Sequence, residues 1–165
     1  MTIRKTTPND TAELIELFGK LDQETSFMLM EPGERELPIE KQMEIINELS
    51  NPKSGVLFAA IEKKVIVGFL GGRRGTANRN KHSIHITMGV LTTYWGKGIG
   101  RQLLQTFIEW GIKNQLHRIE LTVMEHNSRA LSLYKKTGFG IEGIKQDSLK
   151  INSRYVNEYH MAKLI

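Results

Sequence analysis

The stretch Val90-Leu91-Thr92-Thr93-Tyr94-Trp95-Gly96-Lys97-Gly98-Ile99-Gly100-Arg101 links an apolar β-type run to an amphipathic helical run. Its three glycines alternate, and glycine lets a backbone take conformations that other residues avoid and approach a ligand closely. The helix that follows presents unpaired amides and the positive end of its dipole, an arrangement that binds anions. Lys97 and Arg101 add positive charge beside the glycines. The stretch therefore predicts an anion site at a strand–helix junction.

The glycine spacing narrows the choice of anion. A P-loop needs a four-residue spacer followed by Gly-Lys-Ser or Gly-Lys-Thr, and this chain has neither. A dinucleotide fingerprint needs Gly-x-Gly-x-x-Gly in the first strand–helix unit, whereas here the spacing is Gly-x-Gly-x-Gly and several elements come before it. On these residues alone, the alternative is a glycine-rich turn that tightens the junction without binding anything.

Apolar spacing divides the rest of the chain into strands and helices. Before the glycine stretch it predicts a strand at 2–6, a helix opened by Thr7 and Pro8, a polar connection at 22–37, a helix at 38–49, strands at 56–61 and 65–71 joined by a turn, a loop at 72–81 and a strand at 83–91. After it we expect a helix at 98–114, a strand at 118–124, a helix at 127–137 capped by Asn127, and strands at 139–145 and 154–164.

The apolar residues of the three longer helices recur at helical spacing, so each helix is expected to bury one face. The predicted faces are Leu14, Ile15, Leu17, Phe18 and Leu21; Ile39, Met43, Ile46 and Leu49; and Leu103, Leu104, Phe107, Ile108, Gly111 and Ile112.

The element order is β-α-α-β-β-β-α-β-α-β-β. This order predicts a mixed sheet with helices packed on it, an α/β (α+β) fold of three layers, α/β/α. The strand–helix–strand unit from Ser83 to Met124 is expected to form a parallel right-handed crossover.

Composition bounds the functional class. The 165 residues suit one domain, 1–165, and the absence of cysteine excludes a disulfide scaffold, a thiol nucleophile and a thiolate metal site. The N-terminus lacks the apolar stretch of a secretory signal and no run is long enough to span a membrane, so we expect a cytoplasmic protein. The net charge of +5 is scattered rather than clustered, which does not indicate a nucleic-acid partner.

A second motif lies downstream of the glycine stretch, at Asn127-Ser128-Arg129-Ala130-Leu131-Ser132-Leu133-Tyr134-Lys135-Lys136-Thr137-Gly138-Phe139. It is similar to the Asn-x-x-Ala-x-x-x-Tyr-x-x-x-Gly-Phe of the GNAT superfamily of N-acetyltransferases. The glycine stretch resembles that superfamily's Arg/Gln-x-x-Gly-x-Gly/Ala loop, with Trp95 where arginine or glutamine is usual and Thr92 in place of a frequent proline. The element order also resembles that of the family along nearly the whole chain.

The resemblance implies acetyl-CoA as co-substrate. Its pyrophosphate would lie on the glycine loop, and its pantetheine arm would pair with the strand before the loop, which in this family splays from its neighbour. A glycine inside that strand, Gly89, fits a close backbone approach. The residues expected to bind acetyl-CoA are Met88, Gly89, Val90, Trp95, Gly96, Lys97, Gly98, Ile99, Gly100, Arg101, Asn127 and Tyr134.

Acetyl transfer to an amine through a tetrahedral intermediate needs a base for the amine and a proton for the departing thiolate. The resemblance implies Tyr134 as the acid, and a phenol can donate a proton. His85 stands where many relatives have a glutamate base, and its ordinary pKa lies near neutrality. Other candidates for the base are Glu120, Glu125 and His126. His82 and His85 have no third ligand beside them, so we expect no metal.

The acceptor is an amine that the sequence leaves undefined, on a small molecule or on a protein. In the family the first two helices and their connection wall the acceptor site. That implies Phe27, Met28, Glu31 and Glu34. Tyr155 and Tyr159 on the last strand would line the same site or a homodimer contact. The resemblance implies the second possibility, because members of the family often dimerise through their C-terminal strands.

Two other functions compete on the sequence alone. A non-catalytic acyl-CoA-binding or regulatory module would keep the glycine loop but need no acid or base. An RNA-binding protein rests only on net charge, and the chain lacks an evident aromatic stacking motif.

Overall fold

Seven strands and four helices form along residues 1–36 and 38–165, the part of the chain that the computed structural model describes. They follow the predicted order, so the mixed α/β fold is confirmed. The strands are β1 Thr2–Lys5, β2 Gly55–Glu62, β3 Val65–Arg74, β4 Ser83–Val90, β5 Arg118–Met124, β6 Gly140–Ile151 and β7 Arg154–Leu164. The helices are α1 Thr11–Glu24, α2 Ile39–Ser50, α3 Ile99–Lys113 and α4 Ser128–Lys136.

The strands form one sheet in the order β1-β2-β3-β4-β5-β7-β6. Neighbours pair antiparallel apart from β4 and β5, which are parallel, as the strand–helix–strand prediction requires. The parallel pairing starts at Ser83 opposite Arg118 and ends at His85 opposite Glu120. Beyond that pair the two strands diverge and leave a wedge-shaped cleft between their C-terminal ends.

The helices cover both faces of the sheet. Phe58 on β2 packs against Phe107 of α3 with ring centroids 6.3 Å apart. Phe69 on β3 lies one residue from the partner of Phe58, so it faces the other way, and it packs 4.8 Å from Phe18 of α1. The α1–α2 pair therefore forms one outer layer and the α3–α4 pair the other, which confirms the three-layer arrangement.

Two predicted helix faces are partly wrong. Ile112 is 59% exposed, whereas Trp110 is buried and extends the stripe that begins at Leu103. In α2 the predicted Ile39 and Met43 are also exposed. The amphipathic pattern located each stripe, but a residue at its margin is buried only where the sheet extends far enough to cover it.

Two strands are longer than predicted because backbone pairing does not need an apolar pattern. The predicted loop 72–81 is wrong at its start, since β3 continues to Arg74, which pairs with Ile84. The strand predicted at 139–145 runs to Ile151, across an irregularity after Lys145 where Asp147 has a φ of 49°. This strand lies at the edge of the sheet, where polar residues are tolerated on both faces.

The start of α1 is held by an ion pair rather than by Thr7 alone. Pro8–Asp10 forms a short 3₁₀ turn before the helix. The Asp10 carboxylate accepts hydrogen bonds from the Thr7 backbone amide at 2.7 Å and from both terminal nitrogens of Arg4 at 2.7 Å. These donors lower the pKa of Asp10 to about 2, the Arg4 hydrogen bonds contributing most. The predicted connection 22–37 is shorter, since α1 reaches Glu24, and Leu37 lies outside the described residues.

Candidate active site

The cleft between β4 and β5 opens into a cavity of about 790 Å³. Its walls come mainly from the ends of both strands, the loop before α3, the first turns of α3 and one side of α4. The end of α1, the connection after it, and single residues of β6 and β7 complete them. A cavity of this size at diverging strand ends matches the dimensions of small-molecule sites.

The glycine loop needs its glycines for two different reasons. Gly96 and Gly98 have φ values of 78° and 79°, in the left-handed region that other residues rarely adopt. Gly100 lies inside α3, where a Cβ atom would stand 2.9 Å from the Leu133 side chain. The third glycine thus lets α4 pack close to α3, while the first two shape the loop.

The loop presents a row of free backbone donors. The Trp95 amide bonds to the Thr92 carbonyl, and the Gln102 amide bonds to the Gly98 carbonyl. Between them, the six consecutive amides from Gly96 to Arg101 find no acceptor among the described residues. Unpaired amides at the N-terminus of a 15-residue helix favour a negatively charged group. This row has the donors that a diphosphate needs.

Trp95 ties the loop to the end of β4. Its indole nitrogen donates to the Val90 carbonyl oxygen at 2.7 Å. The Thr92 amide donates to the Glu24 carboxylate at 2.8 Å, which fastens the same loop to the end of α1. Two anchors therefore hold the loop at a set distance from the strand that borders the cleft.

Met88, Gly89 and Val90 all line the cavity. A Cβ atom at Gly89 would stand 2.7 Å from a Leu21 methyl group and 2.9 Å from the Phe69 ring. The glycine therefore lets β4 lie close under α1. The Met88 side chain points to the opposite face, where its methyl end approaches Gly100.

Tyr134 lies on α4 and lines the cavity with a side chain that is almost fully buried. Its ring packs against Phe139, with centroids 5.7 Å apart. Burial raises the pKa of the Tyr134 phenol to about 12 because the phenolate would lose its hydration. The hydroxyl is therefore protonated throughout the neutral range. Asn127, at the start of the same helix, accepts from the Ala130 amide at 3.1 Å, which confirms the predicted cap.

His85 stands where the pairing of β4 with β5 ends, and it lines the cavity. Desolvation by the surrounding walls lowers its pKa, and repulsion from His160 and Lys145 adds to this effect. Glu120 and Glu158 oppose the change. A lowered pKa keeps the imidazole neutral, which is the form that accepts a proton.

The Glu120 carboxylate is engaged by Arg118 and lies close to His160. It accepts from the Arg118 guanidinium at 2.8 Å and lies 3.7 Å from the His160 ring nitrogen. Arg118 also binds Glu142, and these two carboxylates raise the pKa of Arg118 above its ordinary value. Glu120 is thus engaged in an ion-pair network with Arg118, outside the cavity lining.

The other candidates for the base lie outside the cavity walls that the described residues form. The Glu125 carboxylate accepts from the Asn157 side chain at 3.2 Å. The His126 ring packs 5.4 Å from the Phe27 ring on the surface. Of the four candidate bases, only His85 lines the cavity.

The connection after α1 supplies part of the cavity wall. Phe27 and Met28 line the cavity, together with Leu29. Glu31 and Glu34 lie apart from it on an exposed turn, where the Glu34 carboxylate accepts from the Glu31 amide at 2.9 Å. Of the four residues expected around the acceptor, the two apolar ones thus line the cavity and the two acidic ones do not.

Three charged residues that line the cavity were missed from the sequence: Glu158, Arg129 and Lys136. Glu158 on β7 lines the cavity with a side chain that is 12% exposed, and the Lys145 ammonium lies 3.4 Å from it. Arg129 on α4 lines the cavity near the glycine loop. Glu158 lies on the last strand, outside both motifs, so no motif pointed to it. Arg129 lies inside the second motif at one of its variable positions, so the motif itself carried no signal.

The last strand separates its two tyrosines. Tyr155 is 65% exposed near the tip of the β6–β7 hairpin, where the Lys150 ammonium lies over its ring. Tyr159 is partly buried against the core. Across the described residues no group of three or more potential metal ligands occurs, and none of the helices there is both long and apolar enough to cross a membrane.

Comparisons with known proteins agree with this geometry. The family model for the Acetyltransferase (GNAT) family matches residues 18–139. The chain is 25% identical over 167 residues to the Uncharacterized N-acetyltransferase p20 of Bacillus licheniformis, covering 99% of this chain and 92% of that protein. It is 35% identical over 88 residues to the L-amino acid N-acetyltransferase AaaT of Escherichia coli, covering 52% and 54%.

Solved structures show the same fold. The GNAT-family acetyltransferase of Streptococcus pneumoniae superposes with a TM-score of 0.96 at 28% identity, covering 99% of both chains. The Salmonella typhimurium acetyltransferase yncA, solved with acetyl-CoA, superposes with a TM-score of 0.87 at 16% identity, covering 99% of this chain and 92% of that one. The six free amides beside diverging strands also fit the co-substrate. This chain belongs to the GNAT family of acetyl-CoA-dependent acetyltransferases.

Proposed function

We propose that this protein transfers the acetyl group of acetyl-CoA to a primary amine within the β4–β5 cleft. The observation that carries the proposal is the row of free amides from Gly96 to Arg101 next to a strand end that has no parallel partner. The amides would bind the diphosphate, and the free edge at Met88, Gly89 and Val90 would pair with the pantetheine arm. Asn127 and Tyr134 would contact the thioester end.

The proposed reaction is direct transfer. The amine enters as the free base, its nitrogen attacks the thioester carbonyl carbon, and His85 takes the proton that the nitrogen then loses. A carbon–nitrogen bond forms, the carbon–sulfur bond breaks, and the departing sulfur takes the proton of the Tyr134 hydroxyl. His85 suits its role because its pKa is lowered, and Tyr134 suits its role because its raised pKa keeps it protonated. Solvent returns both groups to their starting state.

The chemistry of the acceptor end favours an amine with an apolar body. Phe27, Met28 and Leu29 supply an apolar wall, and Glu158 is the carboxylate that lines the cavity among the described residues. Glu158 would attract an ammonium group, which would replace its loosely held partner Lys145.

Free amino acids are expected to be poor acceptors. The cationic side chains that line the cavity are Arg101, Arg129 and Lys136, and all three lie on α3 and α4. Those helices cover the face opposite α1, and the Lys145 ammonium is paired with Glu158, so the described residues of the acceptor end offer no unpaired cation to an α-carboxylate. The relative AaaT acts on L-amino acids by its name, and its match covers about half of this chain. Amino acids therefore belong in any test.

An amine screen tests the proposal. Release of free thiol from acetyl-CoA would be followed with alkylamines, arylalkylamines, diamines, free amino acids and peptides, and products would be identified by mass spectrometry. We expect amines without a neighbouring carboxylate to be acetylated. The Tyr134→Phe variant should lose about a hundredfold in kcat while calorimetry shows unchanged affinity for coenzyme A. Tight coenzyme A binding with no amine acetylated would refute the transferase proposal.

A further inference from the structure

Arg129 holds an unusual position beside the glycine loop. Its guanidinium carbon lies 4.8 Å from the centre of the Trp95 ring, within the range of a cation–π contact. Arg129 lies in the first turn of α4, is exposed, and lines the cavity. It makes no ion pair with any residue in the described ranges, 1–36 and 38–165. Its charge is therefore available to a ligand in the cleft.

Trp95 keeps that guanidinium in place. The indole is itself fixed, since its nitrogen donates to the Val90 carbonyl at 2.7 Å. The same hydrogen bond uses the polar group of Trp95, so this side chain has no donor left for a phosphate. Trp95 also stands where the family loop usually has arginine or glutamine. The side-chain donor expected from the loop is missing there, and a cation from another helix lies against the residue that replaces it.

Lys97, a cation on the loop itself, is directed elsewhere. Its ammonium lies 4.5 Å from the centre of the Tyr94 ring. Arginine suits the position over Trp95 better than lysine would, because its planar guanidinium stacks on an aromatic ring while its edge N–H groups can bind two phosphate oxygens. The six free amides lie on the next residues after Trp95.

We infer that Arg129 binds the diphosphate of coenzyme A and that Trp95 is the platform that positions it. The pair replaces the arginine or glutamine of the loop with a cation from α4. Arg129 is thus a binding residue for the donor and not a catalytic one. The inference concerns donor affinity and is independent of which amine accepts the acetyl group.

Calorimetry with coenzyme A and with pantetheine tests the role of Arg129. The Arg129→Ala variant should weaken coenzyme A binding about tenfold, as loss of a charge-assisted phosphate contact would. Binding of pantetheine, which lacks the diphosphate, should not change when it is measured by displacement of coenzyme A. Lys135→Ala is the matched control, because it removes the same charge from the same helix at a residue outside the cleft lining. Equal weakening by both variants, or equal weakening for both ligands, overturns the inference.

A rescue experiment tests the replacement itself. The double variant Trp95→Arg with Arg129→Ala puts the usual family residue back on the loop, and it should recover most of the affinity for coenzyme A. Trp95→Ala should weaken coenzyme A binding, and adding Arg129→Ala to it should cost little more, because both changes remove one contact. A folded double variant without recovery, or fully additive losses, contradicts the pairing. If the rescue variant does not fold, the comparison of Arg129→Ala with Lys135→Ala decides.

Discussion

The two ends of the cleft are built in different ways. The donor end is made mainly of backbone: free amides from Gly96 to Arg101, and a strand edge that Trp95 ties to the loop. The proposed acceptor end is made of side chains from several elements: Phe27 after α1, His85 on β4 and Glu158 on β7. A backbone site depends on loop shape and tolerates many side chains. A side-chain site changes with any one of its residues.

This difference explains why one short motif predicts the donor site, whereas the sequence leaves the acceptor undefined. The donor end needs only glycine at positions of positive φ and a helix start, so one short motif carries it. The acceptor end draws on residues more than a hundred positions apart in the chain. Substitutions should therefore divide into those that affect the donor, those that affect the acceptor and those that affect only stability.

The largest effect is expected from His85→Gln. Loss of the base should lower kcat about a hundredfold. In the wild type, the acid limb of the kcat profile should lie below the ordinary histidine pKa of 6.5, because a lowered pKa keeps the imidazole neutral to lower pH. The pH profile of the variant should lack that limb, and its kcat should be low and independent of pH. Rates measured across pH, with His82→Gln as the control outside the cavity, check this. A limb that survives in His85→Gln would mean that another group is the base.

Gly98→Ala should affect the donor end alone. Alanine at a φ of 79° costs about 1–2 kcal/mol, so the loop should shift and misalign its amides. We expect about tenfold weaker coenzyme A binding with little change in the KM of the amine. Gly19→Ala is the matched control, because a Cβ atom there meets nothing within 4 Å. Unchanged affinity in Gly98→Ala would show that the loop conformation does not govern binding.

Glu158→Gln should affect the acceptor end alone. Removing the charge while keeping the shape should raise the KM of a cationic amine about fivefold, equivalent to about 1 kcal/mol, and leave coenzyme A affinity unchanged. Glu48→Gln, which removes an exposed ion pair with Arg73, is the control and should change neither the KM of the amine nor the affinity for coenzyme A. Steady-state kinetics with both substrates varied measure the two constants. A change in coenzyme A affinity instead would assign Glu158 to the donor end.

Asp10→Asn should affect stability and leave catalysis alone. The Asp10 pKa of about 2 lies below its ordinary value, so its stabilisation is full above about pH 4 and is lost as pH falls toward 2. We expect the variant to lose about 2 kcal/mol of unfolding free energy at neutral pH and to show less acid sensitivity than the wild type. Urea unfolding at several pH values checks this, with the exposed Glu16→Gln as control. A loss that does not shrink toward pH 2 would contradict the role of the charge.

Local signals were sufficient for much of this structure. The apolar periods gave the order of all the strands and helices in the described residues, and the Asn127 cap followed from residue type alone. The edges of the buried helix faces could not be predicted from the sequence. Ile112 and Ile39 are as apolar as their buried neighbours, but the sheet does not extend over them. The extension of β6 to Ile151 was hidden by the polar run 145–148, and pairing with β7 resumes beyond it at Leu149.

The sequence by itself determined the family, the loop and its ligand class, because glycine conformations and helix starts are local properties of neighbouring residues. Only the tertiary structure brought Glu158 into the cavity wall and the Arg129 guanidinium onto the Trp95 ring. Those contacts join residues that are 34 or more positions apart, and their geometry depends on how α4 and β7 pack against the sheet. A side chain's neighbours across such distances follow from packing, which no local pattern records.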